Sequence, residues 1–274
     1  MIIINAIKII FLLGFLVLIH ESGHFFIARL CKVRVNEFAI GFGPTIWSKQ
    51  GKITKYALRL IPLGGFVSME GEEEPSSKEG SFSEASVLKR IAIVSAGGLV
   101  NIIFAIIVFW ILSISFVGIE KSFYSVGLFI KSMFDSIIQL FTGKVSLDQM
   151  MGPVGISSVV SKTSGLVDFI YILAVISISL GVTNLLPFPP LDGGKIVFLI
   201  IEGIRKKPLT QKLELAIQSV GFFILITLSI FVAYNDILRL WAIVDRWHIW
   251  GRGWFVSFLT HLGTGLKCFI FDTF

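Results

Sequence analysis

His20-Glu21-Ser22-Gly23-His24 is an H-E-x-x-H. On a helix, residues four apart share a face, so both imidazoles can hold one Zn²⁺. Glu21 then lies beside the metal, where it can take a proton from water as a general base. The motif continues an apolar run over residues 9–19. An acid near the centre of a membrane span costs at least ~2.5 kcal/mol. A carboxylate between two histidines inside such a run needs a compensating partner, and a metal supplies one. The competing reading is a structural polar cluster near the interface, hydrogen-bonded to neighbouring helices.

Two histidines leave a catalytic zinc one protein ligand short. The obvious source is Asn184-Leu185-Leu186-Pro187-Phe188-Pro189-Pro190-Leu191-Asp192-Gly193-Gly194. Its prolines break a helix and free backbone groups. Such backbone is tolerated at membrane depth only when buried in protein or lining a wet cavity. Asp192 projects from this irregular segment and can bind a metal, and the glycine pair permits close backbone approach. Alone, the segment reads as a helix stop followed by a turn. Because both motifs end spans on the same side, convergence is favoured.

The elements that must position these residues are helices in lipid. Of the 274 residues, 54% are hydrophobic and 15% charged, and the mean hydropathy is +0.85. That excludes a disordered chain, a coiled coil, a nucleic-acid arm and an ordinary soluble enzyme. Cys31 and Cys268 are too few for a disulfide framework. Spans are expected at about 3–29, 91–119, 169–191 and 215–238. The first is expected to be retained, since it has no Ala-x-Ala-like cleavage site and its polar cluster lies inside the apolar run. Fifteen Lys and Arg fall on one side and nine on the other. The positive-inside rule then puts the N-terminus outside and the loop over residues 29–90 in the cytoplasm.

Between the first two spans, residues 53–60 alternate in character. Flanking turn signals, Gly41-Phe42-Gly43-Pro44 and Pro62-Leu63-Gly64-Gly65, make this region short strands or a hairpin. Residues 70–84, acidic and rich in Ser, Gly and Pro, read as a solvated linker. Residues 123–141 carry apolar side chains at helical spacing (Val126, Phe129, Ile130, Met133, Phe134, Ile137, Ile138, Phe141). An amphipathic helix on the outer membrane surface is expected, with a connecting helix in a protein contact as the alternative.

With both motifs in hand, the chain resembles the site-2 protease family of intramembrane zinc metalloproteases. It is most similar to the bacterial branch typified by the regulator of sigma-E protease. That family carries H-E-x-x-H in its first span and N-x-x-P-x-P-x-L-D-G-G in its third. Further matches are Gly41-Phe42-Gly43-Pro44, Ile61-Pro62-Leu63-Gly64-Gly65-Phe66-Val67 and Gly152-Pro153-Val154-Gly155-Ile156. The resemblance implies a membrane α-helical fold of four transmembrane helices, with a membrane-embedded β-hairpin or β-loop after the first helix. It implies zinc ligands His20, His24 and Asp192, Glu21 as general base, and Asn184 near the bound substrate strand. Gly64, Gly65 and Asn101 complete the expected substrate contacts. The β-loop would present substrate as an added strand, with the alternation at residues 53–60 as the expected edge.

The implied partners are single-span transmembrane proteins, such as anti-sigma factors or signal-peptide remnants, and membrane lipid, but no nucleic acid. The implied location is the bacterial inner membrane, with the active site toward the cytoplasm. The rival function is a non-proteolytic membrane metal-binding or metal-transport protein using the same ligands. Glu21 discriminates, because a transporter does not need a carboxylate between the histidines.

Three departures stand out. About 50 residues separate the second span from the third, too few for the PDZ domains of that branch, so none is expected. In Ala96-Gly97-Gly98-Leu99-Val100-Asn101 the family's proline is Gly98, which should straighten or loosen the helix. The catalytic core is expected over 1–240, and the Trp-rich stretch 241–274, with His248 and His261, is expected to be a divergent tail outside it.

Overall fold

The computed structural model describes residues 2–72, 74–142, 152–161, 163 and 165–261. The chain forms α1 (Ile2–Leu30), β1 (Val35–Gln50), β2 (Lys55–Met69), α2 (Val87–Phe141), α3 (Pro153–Ser161), α4 (Leu166–Leu185), α5 (Asp192–Arg205) and α6 (Gln211–His261). Four helical stretches are long and apolar enough to cross a membrane: Ile3–Leu30, Val87–Ser115, Leu166–Leu185 and Gln211–Leu238. The expected spans lie within a few residues of these, with one instructive exception. The third ends at Leu185, not at 191. Pro187 lacks a backbone donor and biases the residue before it away from helix. Leu186 is accordingly extended (φ −62°, ψ 140°), and turns carry the chain to Asp192, where α5 begins.

The second helix overruns its expected span and breaks at Gly118 (φ 79°, ψ 168°), a left-handed conformation that glycine adopts without strain. Past this break the chain doubles back. Phe129 stacks on Phe109 with ring centroids 4.2 Å apart and packs against Ala105, Ala174 and Ile178. Phe123, Tyr124, Leu128, Phe134 and Ile138 stay exposed. The stripe over residues 123–141 therefore divides between a protein contact and an open apolar face. The side chains of Met133, Ile137 and Phe141 lie outside the described residues, as do Glu73 of the acidic run and those of the Trp-rich tail.

The loop after α1 is a small sheet. Glu37 to Ile40 are paired on both sides, with Ser68 to Gly65 and with Lys55 to Leu58. Lys55, Tyr56, Ala57, Leu58 and Arg59 also pair with Gln50, Lys49, Ser48, Trp47 and Thr45. The alternating stretch at 53–60 is thus an inner strand, which corrects its expected place at the edge. Alternation reports a half-buried strand, not its neighbours. Among the described residues the edges are instead the end of β1, from Thr45 to Gln50, and the end of β2, from Gly65 to Met69. Phe42, Ile46, Trp47, Leu58, Leu60 and Ile61 are exposed, giving the sheet's far end an apolar surface.

Residues 70–84 are folded, not a solvated linker. Phe82 is buried with Ala28, Val35, Val67, Ile93 and Leu199. One apolar side chain in an acidic run is enough to dock it, because burying a Phe stabilises by about 1.5–3 kcal/mol. Backbone bonds join Arg34 to Gly80 and Phe82 to Glu70. The Glu70 carboxylate accepts from Lys78 (3.0 Å), Asn36 (3.1 Å) and Ser76 (2.9 Å), which together pull its pKa from 4.5 to about 2. A depressed folded-state pKa stabilises above the unfolded value and stops doing so as pH falls through the folded one. Hydrogen-exchange protection of residues 70–84 should hold above about pH 4.5 and fade towards pH 2. In Glu70→Gln this acid step should vanish; an unchanged profile would reject Glu70 as the anchor.

The helices meet at small residues. A Cβ on Gly98 would lie 2.8 Å from the Gly181 carbonyl oxygen and 2.7 Å from Leu185. Gly98 is therefore a close contact between α2 and α4, not a loosened turn. In lipid, where apolar surface gains nothing by leaving tails for neighbours, such close backbone approach is a main source of helix association. Arg90 clamps Glu202 with both guanidinium nitrogens, Nη1 at 3.0 Å, fixing α5 and its Asp192 against α2. Asp236 of α6, 3% exposed, accepts backbone N–H bonds from Gly152 (3.0 Å) and Gly155 (2.8 Å) at the start of α3. A carboxylate at a helix N-terminus satisfies orphan donors and complements the dipole. Sequence reasoning had no role for Asp236.

Candidate metal centre

His20 and His24 project from one face of α1 and are 8% and 9% exposed. Asp192, the first residue of α5, reaches both. Its Oδ2 is 3.1 Å from His20 Nε2 and 3.3 Å from His24 Nε2, and the two Nε2 atoms are 3.2 Å apart. Three ligand atoms thus form a nearly equilateral triangle. Tetrahedral ligands at zinc bond lengths of about 2.0–2.1 Å sit about 3.3–3.4 Å from one another. The observed separations match that spacing to within a few tenths of an ångström. Asp192 Oδ2 is buried without a hydrogen-bond partner, as expected of an atom meant for a cation.

The protonation states agree. His24 Nδ1 lies 2.9 Å from the Ile93 carbonyl oxygen, which can only accept, so Nδ1 carries the proton and Nε2 presents a lone pair. Burial pushes the Asp192 carboxyl up, but the His20 and His24 rings beside it outweigh that and hold it below the usual carboxylate range, in the ionised form that ligates. Two imidazoles and one carboxylate are the protein donors a catalytic zinc takes, with the fourth position left to water.

A cavity of about 640 Å³ opens from this triangle. Glu21 lines it beside both histidines, and the end of β2, from Gly65 to Met69, forms one wall. That wall is paired on one side with β1, and among the described residues no strand pairs with its other side. Gly65 brings it close. A Cβ there would lie 3.0 Å from Glu21 Cγ and 2.9 Å from the Ala39 carbonyl oxygen. Gly65→Val should push the strand away from Glu21 and slow cleavage by ~10²-fold, the effect of an ångström's misplacement. Zinc content should not change; a rate within threefold of wild type would reject the wall's proximity as functional.

Not every expected site residue meets the cavity. Gly64, φ +105°, turns the strand beside the Phe42 ring and is not on the lining. Asn184 is half-buried at the end of α4, also off the lining. Asn101 is buried behind His20 and is not on the lining. Conversely, Lys195 and Glu72 line the cavity and pair at 3.0 Å, tying α5 to the loop after β2. Burial by itself would lower the Lys195 pKa, but the Glu72 carboxylate outweighs it and holds the ammonium charged. Lys195 follows the glycine pair directly, and only the tertiary contact with Glu72 marks it.

Comparison with known proteins agrees with the geometry. The sequence model of peptidase family M50 matches residues 8–228. The chain belongs to peptidase family M50. Zinc metalloprotease RasP of Shouchella clausii is 45% identical over 113 residues, covering 40% of this chain and 27% of RasP. Protease RseP of Yersinia pestis is 47% identical over 109 residues, covering 37% of this chain and 24% of RseP. A relative from Fusobacterium nucleatum, named as a zinc metalloprotease, is 28% identical over 330 aligned positions, 84% of this chain and 97% of the relative. Since 84% of 274 residues is about 230, roughly 100 of those positions have no counterpart in this M50 chain. Family membership and the His-His-Asp triangle together make the protein a zinc metallopeptidase with apolar, membrane-length helices.

Proposed function

We propose that this M50 peptidase hydrolyses peptide bonds within the transmembrane segments of membrane-anchored proteins, the step that releases regulators in regulated intramembrane proteolysis. The observation that carries this reading is one cavity lined by His20, Glu21 and His24 of a helix apolar enough to lie in lipid, by Asp192 of α5, and by a half-free β-edge. A helical substrate shields its carbonyls in hydrogen bonds and must unwind before attack. The edge from Gly65 to Met69 offers an unwound stretch the backbone partners it has lost, as an added strand. The exposed apolar surface around Phe42, Trp47 and Leu60 supports a sheet embedded in the bilayer.

Zinc, when bound, polarises the scissile carbonyl and brings the pKa of water towards ~7. Glu21 takes the proton of the attacking water and returns it to the leaving nitrogen as the C–N bond breaks. The products are one new carboxylate and one new amine, and the enzyme is regenerated. The end of β2 holds the strand in line beside Glu21. The substrates are single-span proteins such as anti-sigma factors or signal-peptide remnants. The enzyme sits in the bacterial inner membrane with its N-terminus outside and its catalytic end toward the cytoplasm. The core spans residues 1–240, and the Trp-rich stretch 241–274 lies outside it.

The test uses purified full-length enzyme in liposomes with a doubly tagged single-span substrate, the cut mapped by mass spectrometry. Cleavage inside the span, at the depth of the cytoplasmic third, is the expected result. Cleavage confined to soluble flanking sequence would overturn the reading.

A further inference from the structure

His24 owes its orientation to a backbone carbonyl, but His20 has no such support. Behind its ring sits Asn101 of α2, 0% exposed, with its amide nitrogen 3.4 Å from His20 Nδ1. Asn101 Oδ1 is buried and has no partner. A buried primary amide is costly among membrane helices unless it is paired. The polar neighbour of this one is the outer nitrogen of a metal ligand.

The proton arithmetic then decides which amide atom faces the ring. An amide N–H pointing at Nδ1 needs a lone pair there, which puts the imidazole proton on Nε2. Nε2 is 3.1 Å from Asp192 Oδ2, on the triangle, and a protonated Nε2 cannot ligate. Rotation of the amide by 180° leaves its shape unchanged and exchanges oxygen for nitrogen. Oδ1 then accepts from Nδ1–H, Nε2 offers its lone pair to the metal, and the amide nitrogen takes the position the oxygen left. Ser177 of α4 donates to the Asn101 backbone carbonyl at 2.9 Å, joining that stretch of α2 to the neighbouring helix.

We propose that Asn101 is a positioning residue for the metal centre: its carboxamide oxygen accepts the His20 Nδ1 proton, fixing the tautomer and ring plane that ligate zinc. Its place is therefore outside the ligand triangle, not among the substrate contacts. An acceptor at the outer nitrogen raises the basicity of the ligating one and holds the ring still. Loss of such a partner typically weakens metal binding 10–100-fold.

The test is zinc affinity of the purified full-length chain in detergent, measured by competition with a chromogenic chelator, with apo thermal midpoints alongside. Asn101→Leu, similar in size without an acceptor, should bind zinc 10–100-fold more weakly. Asn101→Asp presents a carboxylate to Nδ1–H and should bind within about threefold of wild type, or more tightly. Cobalt-substituted Asn101→Asp should keep the wild-type visible spectrum. If either variant does not fold, Asn101→Ala and Asn101→Ser replace them with the same expectations. Wild-type affinity in the leucine variant would overturn the proposal. Equal weakening in folded leucine and aspartate variants would also overturn it, because that pattern marks a packing role.

Discussion

Glu21→Gln should leave zinc in place and remove peptide cleavage. Glu21 lines the cavity but is not one of the three converging ligand atoms, so its amide isostere leaves the triangle untouched. What the amide lacks is the ability to take a proton. General-base assistance typically contributes 10²–10⁴-fold, about 3–5 kcal/mol of barrier, and the cleavage rate should fall by that factor. Zinc per chain by elemental analysis should match wild type. Two results would sink the assignment. Cleavage within tenfold of wild type would mean another base, and zinc lost together with activity would make Glu21 a structural member of the metal site.

A single methyl group at position 97 should empty the metal site without unfolding the protein. A Cβ on Gly97 would lie 2.3 Å from His24 Nε2 and 2.7 Å from His20 Nε2, where non-bonded heavy atoms need about 3.5 Å. The backbone of α2 has no room to retreat, since Gly98 already touches α4. The imidazoles must swing by about an ångström, and metal bonds tolerate only about 0.2 Å. Zinc affinity of Gly97→Ala should drop by more than ~100-fold, beyond the loss of any outer partner. Alanine stabilises a helix by up to about 1 kcal/mol over glycine, so the metal-free thermal midpoint should hold or rise. A variant that keeps its zinc would show that the ligands have another arrangement, and one that unfolds would show that Gly97 is needed for packing.

Legibility in the sequence divided by range. The histidine pair was legible because helical periodicity is local: residues 20 and 24 share a face wherever the helix goes. The spans were legible because lipid selects for apolar length. Asp192 was legible as a candidate because three prolines end its span and set a carboxylate just past the break, where α5 begins. The errors came where a residue's neighbours are distant in sequence. Residues 53–60 alternate as an edge strand would, yet strands on both sides cover them, and the edge that faces the ligands is the glycine-led end of β2. Phe82 sat in an acidic run that looked solvated and proved to be part of the core. Gly98 looked like a loosened proline position and is a helix contact.

By itself, the sequence made the candidate chemistry legible: two imidazoles with a carboxylate between them in a membrane-length helix, and a second carboxylate just past a proline-broken span. Those are properties of side-chain type and short spacing. Tertiary structure alone decided which strand edge faces the ligands, that Gly97 leaves room for two imidazoles, and that Asn101 is buried behind His20. Each of these depends on contacts between elements far apart in the chain, where the same letters fit several neighbours until the helices pack.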